Sequence, residues 1–425
     1  MVTMESVYND AKLHEAYLSF VHNESLENTK HMRNAESELS MLQRITAQRI
    51  LDYQVLVDDK EDHGGRNDWR KLHEEMVALE ERLGPRLNLL QVIQSQSPNM
   101  ALAAEFKRAS PSKGNIAVDL DAGEQAVRYY TAGACIISVL TEQHWFKGSL
   151  SDLTKAREET QRIAKAGEER VMLTTTRPAI LRKDFIITTY MILEAAAAGA
   201  DTVLLIVAVT PANVLRELIQ FSRSIGMEPL VEVHTEEELD VALTAGARVI
   251  GVNNRNLHTF QLDLATTVRT AEYLRTRGLQ YNHNELRTST STEIANTSNS
   301  CYYSLCALSG MSTAEDVQRY RDIGVGMCLI GESLMRAPDP TAAIASLCLN
   351  PSNYQNRVLD SSYSAAYTGG TKIIKGNALL FFCSINLLLL LLLCHILTIV
   401  SNLGFIYNNF IRFKKIKYIY SLWDH

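Results

Sequence analysis

Eight short apolar runs recur between residues 101 and 331, and longer amphipathic segments separate most of them. Several of those segments end at a glycine, as at Gly133, Gly199 and Gly246, and glycine commonly follows the last residue of a helix. Eight strand–helix units predict a (β/α)8 barrel, which we place at residues 96–350. An open, doubly wound sheet is the alternative, but no G-x-G-x-x-G motif follows the first run. The apolar runs are 101–106, 135–140, 179–185, 202–207, 229–233, 248–253, 302–308 and 327–331.

Residues 1–95 predict an N-terminal helical extension. Leu42, Ile45, Ile50 and Tyr53 recur close to the helical period, and a second amphipathic segment follows at 68–82. No residue pattern in this part indicates chemistry, so we expect solvated helices that pack on a larger body.

The chain after residue 350 differs in composition. We divide it into a linker at 351–376, a candidate transmembrane helix at 377–407 and a basic tail at 408–425. Residues 378–400 carry no formal charge and include seven consecutive leucines. Their number exceeds the roughly 20 residues that span a bilayer, so a membrane is one candidate partner. The alternative is that this tail, rich in residues with A/T-rich codons, is translated non-coding sequence.

The overall charge and the cysteine pattern exclude several classes. The formal net charge of -6 argues against nucleic acid as the main partner. The chain has seven cysteines and no C-x-x-C pair, so we expect neither a disulfide framework nor a zinc site, and a reducing compartment fits. The first residues do not resemble a secretory signal. We therefore expect a cytoplasmic or plastid protein, anchored to a membrane if the C-terminal segment is real.

Charged and polar residues stand where the apolar runs end. In a (β/α)8 barrel the carboxyl ends of the strands meet at one face, which carries the catalytic residues. Residues two apart on a strand share a face, so Ala179, Leu181 and Lys183 point the same way. The alternative for any single residue is a surface ion pair. The strand-end residues are Glu105, Lys107, Lys183, Glu232, Asn253, Ser309, Gly310, Gly331 and Glu332.

Two kinds of chemistry suit these residues. Lysines and carboxylates that share one pocket shift each other's pKa and suit general acid–base catalysis. The turns at Ser309–Gly310 and at Gly331 suit an anion such as phosphate, to which Ser110 and Arg255 could add contacts. No His, Cys and Asp cluster has the spacing of a metal site, and we expect no metal.

Several stretches resemble indole-3-glycerol phosphate synthase, and together they cover most of residues 101–340. The strings Lys-Arg-Ala-Ser-Pro-Ser and Gly-Val-Asn-Asn-Arg-Asn-Leu are specific to that family. The matching stretches are AEFKRASPSKGNIA, AGACIISVLTEQHWFKGSLSDL, ILRKDFIITTYMILEAAAAGAD, GMEPLVEVHTEEELDVALTAGARVIGVNNRNLHTFQLD and LIGESLMRAPDP.

The resemblance implies a carboxy-lyase of tryptophan biosynthesis without a metal or an organic cofactor. It would close the phosphorylated small molecule 1-(2-carboxyphenylamino)-1-deoxyribulose 5-phosphate to indole-3-glycerol phosphate, with loss of CO2 and water. Lys183 would be the general acid and Glu232 the base, with Lys107 and Glu105 assisting. Asn253 and Ser309 would orient groups. The residues that would hold the phosphate and carboxylate ends are Ser110, Arg255, Gly310, Gly331 and Glu332.

Two departures from the family pattern lie close together. Leu308 stands where the family has glutamate, and leucine cannot pair with Lys107 or Lys183. The polar stretch at 281–300 lengthens the interval before the seventh run, so we treat 279–306 as an insertion. The alternative function is therefore a catalytically impaired barrel that serves as a binding or scaffold module.

Overall fold

The computed structural model describes residues 40–58, 69–169, 177–257, 259–279, 303–350 and 352. All of them belong to a compact unit that spans residues 1–359. Within these ranges no helix combines the length and the apolar character needed to cross a membrane. The candidate helix at 377–407, the basic tail at 408–425, nearly all of the linker at 351–376 and most of the predicted insertion lie outside the described residues.

Eight parallel strands close a barrel, which confirms the predicted (β/α)8 fold. Each strand pairs with its two neighbours, and the last strand pairs with the first, Ala101 opposite Met327. A separate two-stranded hairpin, β2 and β3, follows the first barrel strand. The strands are β1 Ala101–Phe106, β2 Ala109–Ser110, β3 Gly114–Asn115, β4 Ile136–Leu140, β5 Ala179–Lys183, β6 Thr202–Ile206, β7 Leu230–Val233, β8 Val249–Asn253, β9 Ser304–Leu308 and β10 Met327–Ile330.

Three described helices precede the barrel and nine follow its first strand. Short side chains begin several of them, because the Thr235 and Thr313 hydroxyls accept hydrogen bonds from the free backbone N–H groups of the first turn. A 3₁₀ turn, Val207–Val209, follows β6. The helices are α1 Met41–Asp58, α2 Trp69–Leu83, α3 Leu89–Ser95, α4 Ala122–Thr131, α5 Leu150–Glu169, α6 Thr189–Ala197, α7 Ala212–Ser224, α8 Glu236–Ala245, α9 Ala265–Thr276, α10 Ala314–Asp322, α11 Glu332–Arg336 and α12 Pro340–Ser346.

Strand parity places apolar residues inside the barrel and polar residues at its carboxyl end. The interior cluster includes Ala103, Leu181 and Leu230, all fully buried. Two residues further along the same strands stand Glu105, Lys183 and Glu232, on the same face. The barrel interior is therefore closed by packing below a ring of ionisable side chains.

The N-terminal extension is helical where it is described. Leu89 and Ile93 of α3 are fully buried in the same cluster as the barrel interior. The Leu87 N–H donates to Asp201 Oδ1 at 2.8 Å, just before β6, so this segment lies at the amino ends of the strands. Trp69 of α2 meets Tyr190 of α6 edge to face, with ring centroids 5.4 Å apart. The domain boundaries at residues 95 and 350 stay predictions.

Candidate active site

A cavity of about 430 Å³ opens at the carboxyl ends of the barrel strands. The structure brings all eleven sequence-predicted site residues into its wall. They are Glu105, Lys107, Ser110, Lys183, Glu232, Asn253, Arg255, Ser309, Gly310, Gly331 and Glu332.

Glu105 and Lys107 form a close ion pair at the end of β1. Lys107 Nζ lies 2.6 Å from Glu105 Oε1, and the Glu105 side chain is almost fully buried. Burial opposes ionisation of Glu105, but the ammonium charges of Lys107 and Lys183 outweigh it, so the pKa of Glu105 lies below its ordinary value. The opening of the cavity therefore carries a fixed negative charge between two lysines.

Lys183 ends β5 and points into the same cavity. Its ammonium group has no hydrogen-bond or ion-pair partner among the described residues, although its charge acts on Glu105. A partly buried ammonium with free N–H groups can donate to a ligand oxygen. Lys183 is thus a cationic donor of the wall that a substrate could engage directly.

Glu232 and Asn253 are joined across neighbouring strands β7 and β8. Asn253 Nδ2 donates to Glu232 Oε1 at 2.9 Å, and the Arg255 N–H donates to Asn253 Oδ1 at 3.0 Å, which fixes the orientation of the amide. The second carboxylate oxygen, Glu232 Oε2, is buried and has no hydrogen-bond partner within the described part of the chain. A buried acceptor left without a donor is costly, so this oxygen is suited to receive a proton or a hydrogen bond.

The turn after β9 is held by Asn254, which follows the neighbouring strand β8. Asn254 Nδ2 donates to the Ser309 carbonyl and to the Tyr320 hydroxyl, both at 3.1 Å. Ser309 and Gly310 both have positive φ, at 68° and 87°. The left-handed conformation at Gly310 favours glycine, and a Cβ there would also lie 2.6 Å from Leu262 Cδ1 and displace that side chain.

The turn after β10 lies directly against Glu105. A Cβ on Gly331 would stand 2.4 Å from Glu105 Oε1, which no side chain tolerates. The next residue, Glu332, faces two basic side chains: its Oε1 lies 3.8 Å from Lys113 Nζ and 3.2 Å from Arg336 Nε. Glycine at position 331 therefore leaves the space that the Glu105 carboxylate occupies.

The hairpin of β2 and β3 borders the cavity through its turn. Ser110, Pro111 and Ser112 line the wall. The hairpin is anchored at its base by Arg108, which makes a two-pronged ion pair with Asp152. The cavity is thus covered on one side by a short, tethered loop.

A buried charge cluster beside Lys183 was not predicted. Asp184 lines the cavity, and its Oδ2 accepts from Thr141 Oγ1 at 2.6 Å, from Arg49 Nη2 at 2.8 Å and from Arg182 Nη2 at 3.1 Å. Burial opposes its ionisation, but the two arginine charges hold the pKa of Asp184 below its ordinary value. The charged residues within the apolar run 179–185 could have indicated this cluster. No sequence pattern indicated that Arg49 of α1 would join it.

Apolar side chains that were not predicted line the rest of the cavity. Phe146 and Phe185 stand with ring centroids 6.2 Å apart. The buried Glu142 carboxylate accepts the N–H groups of residues 144, 145 and 146, which holds Phe146 in the wall. Such a surface suits an aromatic ring of a ligand.

Leu308 belongs to this apolar wall. It ends β9, is 1% exposed and pairs with Asn253 on one side and Leu329 on the other. Its Cδ1 would lie 2.7 Å from a Cβ on Gly251, so it packs over that glycine. The seventh apolar run therefore forms a regular barrel strand, and Leu308 places an apolar side chain in the ring of acid–base residues.

A closed parallel barrel with ionisable groups at its carboxyl end is the arrangement found in the (β/α)8-barrel class of proteins. The family model described as indole-3-glycerol phosphate synthase matches residues 56–283 and 279–347. The chain belongs to the indole-3-glycerol phosphate synthase family.

Curated relatives agree with this family. The indole-3-glycerol phosphate synthase of Dehalococcoides mccartyi is 37% identical over 280 residues, which cover 65% of this chain and 93% of that protein. The multifunctional tryptophan biosynthesis protein of Phanerodontia chrysosporium is 47% identical over 267 residues, or 63% of this chain and 29% of the relative. The multifunctional tryptophan biosynthesis protein of Schizosaccharomyces pombe is 43% identical over 315 residues, which cover 74% of this chain and 35% of that protein. This chain thus spans about a third of the two fungal relatives.

Proposed function

We propose that this chain closes 1-(2-carboxyphenylamino)-1-deoxyribulose 5-phosphate to indole-3-glycerol phosphate, with release of CO2 and water. The observation that carries the proposal is the convergence of Glu105, Lys107, Lys183 and Glu232 on one cavity of about 430 Å³. The cavity also offers Phe146 and Phe185 to an aromatic ring. Membership of the family supports the same reaction.

Lys183 is the general acid of the first step. Its ammonium N–H groups are unpaired within the described structure, so they are available to the ketone oxygen of the substrate. Proton transfer to that oxygen lets the aryl carbon attack the ketone carbon. Loss of CO2 from the same aryl carbon then restores the aromatic ring. Lys107, held by Glu105 at 2.6 Å, adds positive charge and helps to hold the substrate.

Glu232 is the base of the dehydration. Its Oε2 is buried and unpaired in the part of the chain that the structure describes, while Asn253 holds Oε1. The fixed carboxylate takes a proton from the closed ring, while Lys107, the assisting residue in the same cavity, donates a proton to the hydroxyl group, which leaves as water. Asn253 and Ser309 orient the reacting groups.

The remaining wall residues hold the two anionic ends of the substrate. Arg255 and Lys107 supply positive charge, and the turns at Gly310 and Gly331 bring backbone N–H groups close. Ser110 lies in the hairpin turn that covers the cavity. The residues assigned to phosphate and carboxylate binding are Ser110, Arg255, Gly310, Gly331 and Glu332.

Leu308 favours a second candidate function, a barrel that binds its ligand without turnover. Its apolar side chain in the ring of acid–base residues offers no partner to Lys183. The test is product formation by the full chain, followed by indole fluorescence, with Leu308→Glu measured in parallel. Turnover by the unmodified chain supports the synthase. Turnover by Leu308→Glu alone supports a binding barrel that lacks only the carboxylate partner of the lysines at position 308. Absence of turnover in both proteins contradicts the synthase proposal.

A further inference from the structure

A second, smaller cavity adjoins the active-site cavity through Glu232. It has a volume of about 60 Å³ and shares Glu232 and Asn253 with the larger cavity. Beyond them it reaches His234, Thr235 and Glu238. One water molecule takes up roughly 30 Å³ in the liquid, so this space accommodates one or two.

Glu232, one of the residues that line the small cavity, carries an acceptor that lacks a donor. Glu232 Oε2 is buried and has no hydrogen-bond partner among the described residues. Water in so small a space needs polar partners, and Glu232, His234 and Asn253 supply them beside an otherwise apolar lining that includes Ile206 and Leu257. Water beside Glu232 would satisfy this oxygen and connect it to the next polar side chain.

His234 is the next proton-carrying side chain. Its Nδ1 lies 2.7 Å from the Asn253 carbonyl oxygen, which can only accept, so Nδ1 carries the hydrogen and the neutral ring presents a lone pair at Nε2. The His234 side chain is partly exposed, so the ring joins the cavity to solvent. An imidazole whose Nδ1–H is held by a hydrogen bond can accept a proton at Nε2 and release it to water.

Three carboxylates surround this histidine. Glu238 Oε2 accepts a hydrogen bond from the backbone N–H of His234 at 2.6 Å, Glu232 shares the cavity, and Asp263 lies close enough for its charge to interact with the ring. Burial raises the pKa of Glu238, and the Glu232 charge adds to this effect. Glu232, Glu238 and Asp263 therefore place negative charge near the imidazole ring.

The stoichiometry of the proposed reaction requires a route for protons. The ketone oxygen gains two protons on its way to water, and the base removes one from the methylene carbon beside the nitrogen. Since the carboxylate leaves as neutral CO2, the balance is one proton taken up per turnover. The proton that Glu232 takes up must also leave it before the next cycle begins.

We infer that the small cavity is a proton path in which water carries the proton from Glu232 to His234 and His234 releases it to solvent. The inference rests on the proposed function. His234 is a positioning residue in this path, because it acts through Glu232 and water and not on the substrate.

The test is His234→Asn in the full chain, with His73→Asn on the exposed face of α2 as the matched control. The asparagine amide can still donate to the Asn253 carbonyl but cannot relay a proton. We expect kcat to fall about 10-fold with KM within about 2-fold, the solvent isotope effect on kcat to rise, and added imidazole to restore part of the rate. The control should match the unmodified chain in all of these.

A wild-type kcat and isotope effect in His234→Asn would overturn the proton path, and so would a loss of kcat with an unchanged isotope effect and no response to imidazole. If His234→Asn folds poorly, Glu238→Gln retains the acceptor for the His234 N–H and removes the charge beside the ring. It should also lower kcat and raise the isotope effect, and unchanged values in it contradict the path. Absence of turnover in the unmodified chain is a different result, which contradicts the proposed function itself.

Discussion

Gly331 leaves the space in which the Glu105 carboxylate reaches Lys107. A methyl group there would meet Glu105 Oε1 at 2.4 Å, so Gly331→Ala must displace the carboxylate from its 2.6 Å contact with Lys107. We expect kcat/KM for indole-3-glycerol phosphate formation to fall at least 10-fold, and the free energy of unfolding to fall by about 1–3 kcal/mol, because a well-packed site is overfilled. Steady-state kinetics and urea denaturation measure the two effects.

A second substitution separates this contact from general damage. Glu105→Asp in the Gly331→Ala background shortens the side chain that meets the new methyl group. The double variant should recover part of the stability lost in Gly331→Ala. If its stability equals the sum of the two single losses, the methyl group and the carboxylate do not interact, and the assigned role of Gly331 is wrong.

The lowered pKa of Glu105 gives a pH dependence of known sign. Burial opposes ionisation, but the Lys107 and Lys183 charges lower the pKa below the ordinary value of 4.5. The stabilisation is therefore fully present above about pH 4.5 and is lost as the pH falls through the folded-state pKa. We expect the difference in unfolding free energy between wild type and Glu105→Gln to be constant from pH 7 to pH 5 and to shrink below. Urea denaturation at several pH values checks this, and a constant difference down to pH 3 would contradict it.

At the scale of elements, one ion pair links helix α1 of the N-terminal extension to strand β5. Arg49 Nη2 lies 2.8 Å from Asp184 Oδ2, both side chains are buried, and Asp184 follows Lys183 directly. Arg49→Met should lower the free energy of unfolding by about 3 kcal/mol, because removing one partner of a buried pair leaves the other poorly compensated. We also expect kcat to fall, since β5 carries the proposed acid.

Arg82→Met is the matched control for this arginine. Arg82 on α2 pairs with Glu158 at 2.7 Å, but both side chains are largely exposed. Exposed pairs contribute about 0–1 kcal/mol, so this variant should unfold almost like the wild type. Equal losses of stability in the two variants would show that burial of the Arg49–Asp184 pair has no special effect.

The strands were predictable because their signal is local. Each barrel strand falls within an apolar run of the sequence, and even the seventh run forms a strand, β9 at Ser304–Leu308, so the predicted insertion at 279–306 was extended too far at its end. The sequence overextended the third run, which was taken to 185, whereas β5 ends at Lys183. Asp184 turns out of the strand because it is held by Thr141 and two arginines, and such side-chain contacts leave no periodic pattern.

At the scale of the whole molecule, the barrel explains why the site could be predicted in large part. Closure brings the carboxyl ends of all strands to one face, so residues chosen by their position at strand ends, from Glu105 to Glu332, line one cavity. Contacts between distant segments could not be predicted. Arg49 lies 135 residues from Asp184. Glu232 Oε2 is unpaired among the described residues because Asn253, whose amide is oriented by the Arg255 N–H, binds only the other oxygen.

The central claim is that Lys183 donates the proton that begins ring closure. The direct measurement is indole-3-glycerol phosphate formation by the purified full chain and by Lys183→Met, with substrate binding measured for both. We predict turnover by the unmodified chain and a loss of at least about 100-fold in kcat for the variant, which should still bind the substrate. Equal kcat values for the two proteins would contradict the assignment of Lys183 and the account of the site built on it.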